Sequence, residues 1–123
     1  MVRFRSTASL FNISFTCLVS CMKMYICIKD DLPVGMAMNS AAHAGLMCHL
    51  AFCEDGDYLD WLEHSFKKVT CAVTPAEFAM LKSVEYHLVV TESRMDFKEV
   101  AIVLKPRNDN DWPEFVNLLK LWK

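Results

Sequence analysis

Between Met22 and Phe52 a short run of β-formers joins a helix-forming stretch through a tight turn. That junction restricts the chain to folds in which helices cross over a sheet. Met22–Lys29 (M-K-M-Y-I-C-I-K) is mostly apolar, as a strand covered on both faces should be. Asp30 and Asp31 end it. Leu32-Pro33-Val34-Gly35 supplies the turn, with Pro33 fixing φ and Gly35 free to take whatever angle the connection demands. A helix is predicted from about Met36 to Phe52. Ala41, Ala44, Gly45 and Cys48 form a stripe of small side chains on it, and Asn39, His43, Leu46 and Leu50 form the roughly opposite stripe. With so little charge, this helix is expected to be buried on much of its circumference or to lie partly at a subunit interface.

The remaining elements follow from capping and alternation. Glu54-Asp55-Gly56 breaks the helix, and Asp57 is the expected N-cap of a second one, with Asp60 in its first turn. Lys67–Val73 reads as the second strand. Thr74-Pro75-Ala76-Glu77 is the sharpest local signal: an N-cap threonine, a proline at the first helical position and the glutamate of a capping box. Phe78, Leu81 and Val84 follow at core spacing. Tyr86–Glu92 and Lys98–Lys105 read as a third and a fourth strand, close enough for an antiparallel hairpin, with Pro106 ending the fourth. Trp112–Lys123 is expected to form a short helix or turn packed back as a lid. The order β-α-α-β-α-β-β implies an α/β fold of three layers, α/β/α, around a four-stranded mixed sheet.

The chain has 123 residues, enough for one domain with a core that needs no disulfide staples. A formal net charge of −2 provides no general attraction to nucleic acid. The six cysteines include no C-x-x-C pair, and they read as reduced, mostly buried thiols of a cytoplasmic protein. Cys48, His49 and Cys53 have donor atoms for zinc, but their spacing matches no standard ligand set, so neither a metal nor a cofactor is expected. Residues 1–21 read as an N-terminal extension ahead of the single domain 22–123, with Met22 as a candidate natural start. They imitate an export signal, but Asn12, Ser14 and Thr16 interrupt the apolar run, and no membrane association is expected.

Phosphate-binding loops, nucleophile elbows and zinc-protease helices are all lacking. Candidate chemistry therefore comes from topology. Lys29, Asp30 and Asp31 leave the carboxyl end of the first strand, where open α/β sheets place ligands. Gly35, Asn39 and His43 lie on the turn and helix that follow. Thr91, Glu92, Ser93 and Arg94 leave the end of the third strand, which is parallel to the first. In this arrangement His43 is the base or the orienting group, Glu92 or Asp31 its partner, and Lys29 a counter-charge for a developing oxyanion. The plainer reading of His43 is a helix histidine bonded to a neighbour, and Asp30 and Asp31 are more often solvated turn residues.

At D-L-P-V-G-M-A-M-N-S-A-A-H-A the sequence resembles the type II peptidyl-tRNA hydrolase superfamily, and more closely its uncharacterised bacterial relatives. The likeness continues through K-K-V-T-C-A-V-T-P-A-E-F, V-V-T-E-S and E-V-A-I-V-L, covering about 22–106. It implies a mixed four-stranded sheet flanked by helices, a homodimer, and metal-independent cleavage of the ester between tRNA and a peptide or amino acid. His43 matches the histidine of the family's first helix, and Glu92 stands where its hydrolases usually carry an aspartate. Those hydrolases have a G-K-G-K segment after the first turn; this chain has Gly35-Met36-Ala37-Met38. A non-catalytic module that binds a small ligand or a protein on the same fold is the alternative. Whether Lys29, Lys67, Lys68, Lys105 and Arg107 gather beside His43 or scatter separates a tRNA surface from a small-ligand site.

Overall fold

The computed structural model describes residues 21–123; the expectations for residues 1–20, the bulk of the extension and its signal-like run, lie outside the described residues. Strands β1 (Met22–Lys29), β2 (Lys67–Val73), β3 (His87–Glu92), β4 (Lys98–Asn108) and β5 (Lys120–Leu121) form one mixed sheet in the order β3-β4-β1-β2-β5. β1 runs parallel to β2 and antiparallel to β4, which is antiparallel to β3. β1 and β3 are therefore parallel to each other. Helices α1 (Val34–Phe52), α2 (Gly56–His64), α3 (Pro75–Leu81) and α4 (Glu114–Asn117) complete the fold.

Alternation along the strands divides the core. Met22, Met24, Ile26 and Ile28 of β1 pack with Ala37, Ala44 and Cys48 of α1 and with Tyr58 and Trp61 of α2. Tyr25 and Cys27 face the other way, against Phe78 and Leu81 of α3 and Trp112, Val116 and Leu119 of the C-terminal segment. Helical layers on both faces explain why β1 reads as a continuous apolar run rather than an alternating one. The expected capping box is present: the Thr74 hydroxyl accepts the Glu77 N–H at 3.2 Å, and the Glu77 carboxylate accepts the Thr74 N–H at 2.9 Å.

The sheet has five strands, not the expected four. The fifth is β5, where Ala72 pairs with Lys120 and Cys71 with Leu121. Two residues carry no periodicity, so this segment reads as a turn in sequence. Pro106 does not end β4. The β1–β4 register shifts between Lys23 and Tyr25, so Pro106 sits in a bulge where its missing N–H costs no ladder bond. α1 begins at Val34, with Pro33 as its N-cap residue. Gly35 consequently lies inside the first turn and has no positive φ, so the turn makes no special demand on it. The outward side of α1 is not covered: Val34, Met38, Leu46 and Leu50 are exposed. No helix among the described residues is long and apolar enough to cross a membrane.

α2 is capped by Asp55 rather than by Asp57, because a buried lysine holds Asp55 in place. The Asp55 carboxylate accepts the Tyr58 N–H at 3.1 Å and pairs with Lys105 Nζ at 2.9 Å. The Lys105 side chain, only 7% exposed, rises from β4 and lies 4.1 Å from the ring centre of Tyr86. Burial raises the Asp55 carboxyl, but the bonds from Lys105 and from the Tyr58 and Asp57 N–H groups outweigh it and hold the group below the usual carboxylate range. Asp55→Ala should cost about 2 kcal/mol, since it removes a cap and leaves a buried cation short of its partner. Lys105→Met, which keeps the apolar stem, should cost less. With its pKa depressed, the Asp55 contribution is complete above the unfolded value of about 4 and is lost as pH falls through the lower folded value. Denaturant midpoints from pH 6 to pH 2 should therefore converge for wild type and Asp55→Asn at the acid end.

Candidate functional site

The site forms where α1 crosses the end of β3. Leu88 and Val90 pack in the α1 layer, whereas Val89 packs in the α3 layer. The same alternation turns Glu92 toward α1. Glu92 is the last residue of β3 and also caps the short 3-10 turn Ser93–Met95, its Oε2 accepting the Arg94 N–H at 3.2 Å. His43, at the middle of α1, brings Nε2 to 3.3 Å from Glu92 Oε1. The His43 side chain is 49% exposed and that of Glu92 is 4% exposed, so a buried carboxylate backs an imidazole that solvent and ligands can reach.

Two buried oxygens on this flank lack hydrogen bonds. Glu92 Oε1 faces His43 but accepts no aligned hydrogen bond, and Ser40 Oγ has no partner. Ser40 precedes His43 by three residues, so both lie on the β3 side of α1. Met38 and Ala41 lie on the other side, lining a small cavity with Thr70 and Trp122. A helical serine ordinarily turns back onto the carbonyl four residues earlier, and Ser40 does not. Of the two adjacent polar residues, Asn39 is exposed and Ser40 is the buried one. The available signal was a lone hydroxyl on the face whose other members are Ala37, Ala44 and Cys48.

Lys29 and Asp31 are not brought to His43. Lys29 follows Cys27 in alternation and emerges on the α3 side, its Nζ 4.7 Å from the ring centre of Phe78. With Asp30, Asp31, Val73, Pro75 and Phe78 it lines a cavity of about 170 Å³. A roomier cavity of about 560 Å³ adjoins it, also touching Asp30 and extending over Thr74, Glu77, Lys120 and Trp122. Neither cavity includes His43 or Glu92. Gly35 and Asn39 are exposed on α1, Asn39 one turn from His43; Thr91 is exposed, and Ser93 and Arg94 are exposed in the turn after Glu92.

The cations scatter. Lys68 lies 3.3 Å from the ring centre of Phe66, at the opposite end of the sheet from Glu92. Lys105 is buried against Asp55, and the Arg107 guanidinium donates to the Glu85 carbonyl at 2.9 Å. Lys98, however, stands opposite Glu92 across the β3–β4 hairpin, so the two side chains leave the same face. Arg94 and Lys98 are both exposed and form no ion pair among the described residues. Cys48, His49 and Cys53 do not converge, and among the described residues no such group is placed to hold a metal ion. Cys48 is buried and Cys53 exposed, and His49 Nδ1 is 3.0 Å from the Tyr58 hydroxyl. Burial pushes the Cys48 thiol up to about 12, which disfavours the thiolate a metal requires.

Compared with known proteins, the sequence matches no family model and no curated protein.

The unpaired hydroxyl makes a stability prediction. Ser40→Ala removes a polar atom that is costly to bury and should raise stability by about 1 kcal/mol. The urea midpoint of the variant checks this, and a loss would mean that the hydroxyl has a partner.

Proposed function

We propose that the chain is an ester hydrolase of the peptidyl-tRNA hydrolase type, with His43 as general base and Glu92 as the group that orients it. The observation that carries this reading is the 3.3 Å approach of His43 Nε2 to the buried Glu92 Oε1 between α1 and β3. An imidazole whose Nε2 faces a carboxylate has its other ring nitrogen, Nδ1, free to take a proton from water. That water adds to the ester carbonyl. Collapse of the adduct breaks the carbon–oxygen bond of the leaving alcohol, and the proton returns from the imidazolium to the departing oxygen.

Arg94 and Lys98 suit the anionic end of such a substrate. Two cations on one hairpin match a single phosphate or carboxylate, and the other basic residues are too dispersed to follow a nucleic-acid backbone. The supported substrate is therefore an acyl ester with one anionic group close to the scissile bond. The acylated end of a tRNA and a small amino-acid ester both meet that description. Association into a homodimer belongs to the same reading, supported by the exposed Val34, Met38, Leu46 and Leu50 on α1. The cation scatter also favours a second reading, in which the same surface beside His43 and Glu92 binds a small anionic ligand without turning it over.

Release of peptide from purified peptidyl-tRNA, run beside hydrolysis of a small N-acyl amino-acid ester, tests the proposal. His43→Ala and Glu92→Gln should each lower turnover by about 10²-fold or more. Cleavage of the small ester alone would fix the substrate as small. Rates indistinguishable from those of the variants, on both substrates, would remove the hydrolase reading and leave the binding one.

A further inference from the structure

The sheet interior holds a second reactive pair that the proposed chemistry does not use. Cys27 of β1 and Cys71 of β2 are direct partners in the parallel ladder, and both are free thiols. They project to the α3 side, where Cys27 is 0% and Cys71 1% exposed among Tyr25, Val73, Phe78 and Leu81. We propose that Cys27 and Cys71 form a dithiol modification site that a peroxide closes to an inter-strand disulfide.

Geometry is the main warrant. Paired residues on adjacent strands lie about 4.8 Å apart, within the roughly 4.4–6.8 Å between the Cα atoms of bridged cysteines. Their Cβ atoms start near that same spacing, slightly beyond the roughly 3.5–4.5 Å a relaxed bridge prefers.

The two thiols are also unlike. The neighbouring Cys71 side chain, together with burial, raises Cys27 well above the usual thiol range, whereas the Cys27 side chain lowers Cys71. Cys71, on the strand next to the short edge strand β5, is the attacking sulfur. Its thiolate takes one oxygen from hydrogen peroxide, the O–O bond breaks, and hydroxide leaves. Cys27 then attacks the Cys71 sulfenic acid; an S–S bond forms, the S–O bond breaks, and water leaves with the Cys27 proton. Two thiols are oxidised by two electrons, and one peroxide is reduced to two waters. Along the sheet, Cys71 is separated from the edge by the two-residue strand β5, which pairs with it at Leu121. Lys29 and Val73 are the next residues on the same face and line the 170 Å³ cavity, so the bridge draws the floor of that cavity together.

The test uses the full chain. The reduced protein is treated with hydrogen peroxide, its remaining thiols are alkylated under denaturing conditions, and peptides are mapped without reduction. A Cys27–Cys71 cross-linked peptide about 2 Da lighter than its two reduced halves is expected, and it should disappear on treatment with dithiothreitol. In Cys27→Ala the second step is blocked, so a 1,3-diketone probe should label Cys71 as its sulfenic acid. Alkylation of both Cys27 and Cys71 while the exposed Cys21 and Cys53 are consumed would overturn the proposal. So would a bridge joining either buried cysteine to Cys21 or Cys53.

Discussion

A strand sends successive side chains to opposite faces, and in this sheet that parity governs which residues ever meet. β1 is paired on both edges and covered on both faces, so none of its side chains can move across. Ile28 is fixed in the α1 layer, and Lys29, one residue later, is fixed in the α3 layer. The same constraint, carried through β4 to β3, turns Glu92 toward His43. The molecule thus has two chemical faces separated by the thickness of a sheet. The His43–Glu92 pair occupies one, and the acidic strand ends and the Cys27–Cys71 pair occupy the other.

Much of this was legible in the chain. The run Met22–Lys29, the capping box at Thr74 and the hairpin spacing around Ser93 are local signals whose physics does not depend on distant partners, and the structure has the corresponding elements. The nearness of Glu92 to His43 follows from topology once β1 and β3 are parallel. Other features are not local. β5 exists because β2 offers an edge, and two residues cannot announce that in sequence. Pro106 stays within β4 because a bulge absorbs it. Asp55 rather than Asp57 caps α2 because Lys105, 50 positions later, reaches it. The grouping of Lys29 and Asp31 with His43 treated the carboxyl edge of the sheet as one place, when alternation makes it two.

Helix α1 combines roles that usually conflict. Ala37, Ala44 and Cys48 let it lie close to the sheet, while Ser40 and His43 on its β3 flank add polar atoms to the same interface. A hydroxyl and a carboxylate oxygen left without hydrogen bonds lower the stability of that contact. Nothing comparable occurs at Lys105, where the buried cation is met by Asp55, by Asp57 at 4.0 Å and by the face of Tyr86. One buried polar group is fully answered and the other is not, and the unanswered one borders the accessible imidazole.

The brevity of β5 has a consequence for how this protein behaves among its own copies. Pairing at Cys71 and Ala72, with the Trp122 N–H donating to the Thr70 carbonyl at 2.9 Å, covers only the end of β2. Among the described residues, the outer backbone of Lys67–Val69 has no neighbouring strand. An open edge of this kind is a template on which another chain can extend the sheet. Here it carries two adjacent exposed lysines, Lys67 and Lys68. Like charges brought into register across such an edge repel, so these side chains act as a solubility guard for the margin that β5 leaves open. Loss of their charge, by modification or substitution, turns that margin into a site where aggregation can begin.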